Sequence, residues 1–393
     1  MRTRSKSSAS ARHRRPNQRP SAKSSRGSVL MIVLITLVFA TTAMFALIER
    51  SANDLLVEKR STDAARLRLE AYSALETTIA VLEDFRLANG SLRSPSEGWS
   101  DPLAFASYEP AEGRKVEITF QDESGKYSLP NATQATLVNL FKAWGVSDSE
   151  SGKVSDAILG WMKKDYVASS AGAPEADDYE REEIPYTPPG RPLRSFSELG
   201  TIAAARDLFY DETRQPNELW QRFANAFSLY TFQSPSINGA SPELLAGLGI
   251  TDTTQQKQLD DYIHGHGAYE NRGGGYFKNA QDVSAMFGAQ SPASALSTQI
   301  SSLRIIITVR EGRSSFRLNT LIAPPGGATI PVVQTNQNTG TNPGDTPTPA
   351  ENAGPTNPAS GASQATKKLN YPFTILEFRE NDEMPSPLQP ASS

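Results

Sequence analysis

Residues 28–48 (SVLMIVLITLVFATTAMFALI) contain no charge, proline or glycine. A run of that length crosses the ~30 Å hydrocarbon layer of a bilayer as a helix, a fold that satisfies its own backbone groups there. Helix formers continue without Pro or Gly through residues 49–86. Within them Leu67, Ala71, Ala74, Leu75, Ile79, Leu82 and Phe85 recur at steps of three and four, which makes one apolar face. Asn89-Gly90 supplies a stop. The pattern predicts one long helix, lipid-facing at first and packed on a soluble domain afterwards. The period then changes to two: Val116, Ile118 and Phe120 alternate with Lys115, Glu117 and Thr119, and a turn at Glu123-Ser124-Gly125 leads into Tyr127 and Leu129. Strand signals return at residues 303–310 (LRIIITVR), a Glu311-Gly312 turn and residues 315–322 (SFRLNTLI), which read as a hairpin. Residues 371–378 (YPFTILEF) read as a last strand.

Between the strand signals the pattern is helical and repeats itself. Residues 131–137 (NATQATL) match 238–244 (NGASPEL), 145–148 (GVSD) match 249–252 (GITD), and 155–161 (SDAILGW) line up with 259–263 (LDDYI). Short helix starts follow at 195–199 (SFSEL) and 279–283 (NAQDV). Each unit reads as helix, Gly turn, helix, irregular loop and helix, with Ser155 and Ser241 as expected N-caps. One sheet assembled from strand pieces so far apart implies that residues 129–290 are inserted into it. Residues 324–368 are Pro, Gly, Thr, Asn and Ser with almost nothing to bury, hence a disordered linker.

Charge orients the molecule. Of 39 Lys and Arg, nine precede Ser28 with no Asp or Glu among them, leaving 30 against 43 acidic residues, a formal −13. A short basic flank stays in the cytoplasm, so the acidic bulk is expected outside it, in the periplasm of a Gram-negative cell. Residues 1–26, Ser/Arg-rich and without useful apolar spacing, read as a disordered leader. The absence of cysteine excludes disulfides and thiolate metal sites, and an acidic ectodomain argues against nucleic acid as main partner. No Gly-x-Ser-x-Gly, Walker loop or dinucleotide fingerprint is present, and catalysis is not expected. His264-Gly265-His266 reads as a surface loop, with no companion ligand singled out. The loop after Trp161 gathers Asp165, Glu175, Asp177, Asp178, Glu180, Glu182 and Glu183. A solvated acidic face is the simpler reading of it, and an oxygen-lined calcium site the sharper one.

The Gly27-Ser28 junction of basic leader and apolar helix resembles the type IV prepilin signal, cut after the glycine by a membrane peptidase; a plain signal anchor is the other reading. With it, 122–131 (DESGKYSLPN), 155–161 (SDAILGW), Pro185-Tyr186, 195–199 (SFSEL) and 237–245 (INGASPELL) resemble, in order and spacing, the K-type minor pseudopilins of type II secretion. The resemblance covers most of residues 27–322 and implies an α/β (α+β) pilin-like fold. In it a long N-terminal membrane helix packs on a small antiparallel sheet, with a large inserted all-α domain of two helix-turn-helix repeats. The expected divisions are leader 1–27, transmembrane half 28–48, periplasmic helix and first strands 49–128, insertion 129–290, sheet strands 291–323, linker 324–368, and last strand with tail 369–393. The resemblance implies a single-pass inner-membrane protein with its N-terminus cytoplasmic and its ectodomain periplasmic, capping the pseudopilus tip. Its partners would be I-type and J-type minor pseudopilins, the major pseudopilin, prepilin peptidase and membrane lipid, with no nucleic acid. Major pilins carry Glu at the fifth mature position; counting from Ser28 that position is Ile32, which suits a subunit with nothing above it. Mature pilins usually begin with Phe, and Ser28 departs from this. The family's calcium is implied at Asp165, Glu175 and Asp178, although Lys163 stands where the first Asp of its Trp-x-Asp-x-Asp pattern belongs. The alternative comes from 244–250 (LLAGLGI), which resembles helix-hairpin-helix DNA-binding turns and would make the chain a DNA-uptake protein.

Overall fold

The computed structural model describes residues 26–250, 252–331 and 371–381. Most of the expected leader and linker, Thr251 and the tail from residue 382 lie outside the described residues. Helix α1 runs Arg26–Asn89 without a break and ends at Gly90, whose φ of 76° is left-handed, as the Asn-Gly stop predicts. Two compact units divide the chain, residues 1–63 and 64–393. In the first, the described helix exposes its apolar side chains throughout, from Val29 to Ile48.

The second unit mixes helices with a four-stranded antiparallel sheet ordered β1-β4-β5-β6, where β1 is Lys115–Asp122, β4 Leu303–Glu311, β5 Ser314–Ala323 and β6 Thr374–Glu380. The α1 stripe read from the sequence covers one face of it: Leu67, Ala71, Ala74, Leu75, Ile79 and Leu82 are all within 2 % of full burial. They pack on Ile305, Ile307 and Val309 of β4 and on Phe316, Leu318 and Ile322 of β5. Each fully buried Leu or Ile contributes roughly 1.5–3 kcal/mol, so this stripe is the main attachment. Polar pins lock its register: the Glu70 carboxylate accepts from Tyr108 Oη (2.6 Å) and Arg114 (2.8 Å), and Glu380 accepts from Arg68 and Tyr72. The hairpin forms as expected, Glu311 pairing Ser314 across Gly312 at φ 57°. The last strand begins three residues later than its sequence pattern. Pro372 lacks a donor, Phe373 is buried instead, and the Tyr371 hydroxyl donates to Glu76 at 3.0 Å.

Residues 123–302 lie in chain order between β1 and β4, which are nevertheless neighbours in the sheet. After the short α2, Pro102–Phe105, which precedes β1, their helices are α3 Gln134–Ala143, α4 Asp148–Met162, the short α5 Ala176–Glu180, α6 Ala203–Phe209, α7 Glu218–Ala226, α8 Pro242–Gly247, α9 Thr253–His264 and α10 Ala280–Phe287. The stretch is not wholly helical: β2, Tyr127–Ser128, follows the expected turn and pairs in parallel with β3, Phe227–Ser228, and only β3 was unexpected. Both α3–α4 and α8–α9 follow a 3₁₀ turn and fold back at a left-handed glycine, Gly145 (φ 86°) and Gly249 (φ 82°). Their entry asparagines do the same work. Asn131 Nδ2 donates to Phe232 O (2.9 Å), and Asn238 Nδ2 donates to Phe277 O and Thr298 O (3.0 Å each). Ser241 caps α8 by accepting from Leu244 N–H at 3.1 Å, as expected. Ser155 does not cap: it is buried inside α4, whose cap is Ser147, accepting from Glu150 N–H. Two apolar clusters result, one around Phe141, Trp161, Phe209 and Phe223, the other around Ile237, Leu244, Phe277 and Val283.

Candidate functional site

The first candidate surface is the exposed apolar half of α1. Among the described residues it is the one helix long and apolar enough to cross a membrane. Thr36, Thr41 and Thr42 return their hydroxyls to carbonyls three or four residues back, at 2.9–3.0 Å, so these three donors are met within the helix. Ile32 is 61 % exposed. Gly27 and Ser28 lie in the first turn of α1.

The second candidate is the seam where β1 leaves the sheet, and here two sequence motifs meet. Gly125 approaches Gly239 so closely that a Cβ on Gly125 would lie 1.9 Å from Gly239 O, and a Cβ on Gly239 would lie 2.5 Å from Asp122. Ser124 ties both sides together. Its N–H donates to Ser302 O, its carbonyl accepts from Ser236 N–H (2.7 Å), and its Oγ accepts from Ser301 N–H (2.9 Å).

Asp122 is half-buried as a residue, but its Oδ2 is sealed from solvent beside Gly239. Burial pushes the carboxyl up from 3.8 to about 6, against the opposing pull of its bonds from Ser124. The folded state therefore holds the proton more tightly than the unfolded chain. That contribution is complete below about pH 4 and lost as the pH rises through about 6. Asp122→Asn removes it. Between about pH 4 and pH 7.5 the variant should gain about 2–3 kcal/mol relative to the parent; urea midpoints at the two pH values check this.

Beside the seam sits a buried charge network the sequence did not disclose. Glu123 (3 % exposed) lies 3.2 Å from Lys126 Nζ and 3.6 Å from Arg304 Nε. Arg304 (6 % exposed) also donates to Asn319 Oδ1 (3.0 Å) and Glu377 (2.9 Å). Arg304 reads as one polar position in an apolar strand, and its partners lie far away in sequence. Only its period, on the strand face opposite Ile305 and Ile307, hints that it faces something other than α1.

The acidic residues proposed from sequence as calcium ligands are arranged differently from a coordination sphere. Asp165 lies exposed just beyond α4 with φ 60°. Glu175 caps the short helix α5, Ala176–Glu180; its N–H donates to Asp178 Oδ2 (2.9 Å), while Asp178 Oδ1 accepts from Arg181 (3.2 Å). Both Asp178 oxygens are thus engaged, one by a cation. Lys163, standing in place of an Asp, sends its Nζ to Ala132 O at 3.1 Å. Asp165, Glu175 and Asp178 are not among the described groups whose possible ligand atoms converge.

Among the described residues, the carboxylates and imidazole that converge, within 4.8 Å, are Asp260, Asp261 and His266. Both histidines are exposed, but only His266 lies in the expected surface loop; His264 is the last residue of α9. The Asp260-Asp261 pair one turn earlier was the missed signal. Asp261 already binds Lys257 at 2.8 and 2.9 Å, and Asp260 faces His264 Nδ1 at 3.0 Å, which makes this an ion-paired helix end. The turn between α8 and α9 ends at Asp252, which caps α9 through Thr254 N–H; the sequence from 244 to 256 holds no Lys or Arg for phosphate.

Residues 119–214 match the family model described as "Type II secretion system (T2SS), protein K". This span begins in β1, crosses the seam and includes α3, α4 and α6. Among solved structures, a chain of the GspK-GspI-GspJ complex from the enterotoxigenic Escherichia coli type 2 secretion system is 12% identical. The match covers 69% of this chain and 96% of that one, with a TM-score of 0.47. No curated protein matches.

Proposed function

We infer, from a chain that carries a type II secretion protein K domain at residues 119–214, that it works as a non-catalytic minor pseudopilin. In this reading it sits at the tip of the secretion pseudopilus and helps to start its assembly. The observation that carries the reading is the division of labour along α1. Its first half presents apolar side chains on every side, and its second half is sealed against a sheet. A fibre subunit needs such a rod: one part to pack in membrane or among neighbouring rods, the other to hold a folded head.

The leader is removed between Gly27 and Ser28 by prepilin peptidase, and the rod stays on the product in the inner membrane with its head in the periplasm. Ile32 leaves the mature fifth position without a carboxylate, so no amine of a subunit above could be neutralised there, and a place at the end of the fibre follows. A buried lone carboxylate among lipid is costly, so its absence also eases the helix's residence in the bilayer. I-type and J-type minor pseudopilins are the expected neighbours, with the major pseudopilin below them.

Mass spectrometry of the membrane-extracted protein tests the reading. In cells with active prepilin peptidase the expected product begins at Ser28, and Gly27→Leu should leave Met1 in place. Co-purification of I- and J-type partners should follow the processed form. A wild-type product still beginning at Met1, or one lacking residues 28–48, would overturn it.

A further inference from the structure

The sheet has a second face, turned away from α1. Register places Arg304 and Ile306 of β4, Arg317 and Asn319 of β5, and Glu377 and Arg379 of β6 on it. Opposite stand residues 191–197 and Trp220 of α7, and between the two lies an open cleft of about 980 Å³. Its charged lining is lopsided: Lys126, Arg191, Arg194, Arg304, Arg317 and Arg379 against Glu123 and Glu377.

The pairing is incomplete in one direction. Glu123 is shared by Lys126 and Arg304, Glu377 by Arg304 and Arg379, and Arg191 turns to Glu198 at 3.1 Å. Arg194 and Arg317 have no ion pair among the described residues. The Nε atom of Arg317 is cut off from solvent without a hydrogen-bond acceptor. A guanidinium whose donor is sealed and unmet costs free energy until an acceptor arrives, and two-oxygen acceptors suit it best. Between the cations the walls are apolar: Phe196, Trp220, Leu229, Ile330 and Leu376.

We propose that this cleft receives an acidic, apolar-interleaved peptide segment of another protein. The segment's carboxylates meet Arg317 and Arg194, and its apolar side chains lie between Trp220, Phe196 and Ile330. Charge complementarity selects this occupant: a cleft with surplus guanidinium in an otherwise acidic molecule attracts carboxylate and rejects basic segments. The cleft is also large enough for several residues of chain, more than a single small anion requires. The proposal stands whether or not the leader is cut, and so fails or succeeds separately from the secretion reading.

The test uses the full chain in detergent micelles and a fluorescent hexapeptide alternating Glu with Leu, with a Lys-Leu hexapeptide as control. Anisotropy should show saturable binding of the Glu peptide, weakened by salt, and no saturation with the Lys peptide. Arg194→Ala, an exposed residue whose loss leaves the core untouched, and Arg317→Ala should each weaken binding roughly five- to tenfold, about the net worth of one hydrogen bond. Equal binding of both peptides, or unchanged affinity in both variants, would overturn the proposal. Displacement by equimolar glutarate would also overturn it, since the cleft would then hold a small anion rather than a peptide.

Discussion

Gly125→Ala should lower stability by about 3 kcal/mol or more, at the upper end of overpacking. In a domain of this size that moves Tm down by roughly 6–12 °C. The added methyl would meet a backbone carbonyl, Gly239 O, at 1.9 Å, and a backbone held by Ser124 on one side and Asn238 on the other has no flexible end to yield. Gly160→Ala is the matched control. It sits in α4, and the nearest atom to a new Cβ is Tyr166 Cδ1 at 3.7 Å, an ordinary contact. Ala there should stabilise by up to about 1 kcal/mol through helix propensity. Thermal melts of the two variants side by side decide whether the seam is as tight as described; equal Tm values would mean that it opens.

Arg304→Met should cost about 3–5 kcal/mol near pH 8, because it leaves the Glu123 and Glu377 carboxylates in a low-dielectric interior with too little positive charge. For Glu123, burial pushes the carboxyl up, but Lys126 and Arg304 together hold it below its ordinary value. In the parent, that depression contributes stability above the ordinary carboxylate range and loses it as the pH falls through the folded value. Without Arg304 the carboxyl rises and takes up a proton more easily, so the gap between variant and parent should narrow toward about pH 4.5. Urea unfolding at the two pH values measures it. A gap that stays constant would show that Arg304 acts through packing alone.

Much of the architecture could be read from periodicity. The α1 stripe from Leu67 to Leu82, the β1 alternation and the β4–β5 hairpin each follow from residue type and spacing, because their burial is decided within one element. Elements held by distant partners were less legible. The β2–β3 ladder is two residues long, too short for any alternation to show, and exists because residues 127–128 and 227–228 are brought together by the helices around them. The expected cap at Ser155 falls inside α4, whose true cap is Ser147. Gly152, also inside α4, serves a close approach, since a Cβ there would meet Ser170 Oγ at 2.5 Å. The charge network and the cleft were invisible for the same reason as the ladder. Arg304, Glu123 and Glu377 come from three separate strand or turn segments, and only the register of the sheet unites them. The acidic loop shows the converse: its composition invited a metal, while the placement of Asp178 against Arg181 gives those carboxylates another use.

The position of β1 beside β4 sets a timetable for the newborn chain. At a synthesis rate of 5–20 residues per second, the roughly 180 residues between the two strands take roughly ten to forty seconds to emerge. Bringing the strands together then requires closing a long loop, a slow step in folding. Throughout that delay the stripe on the second half of α1 has no sheet to cover it. In that interval the bare stripe is apolar surface open to aggregation, a hazard the finished fold removes by burying it.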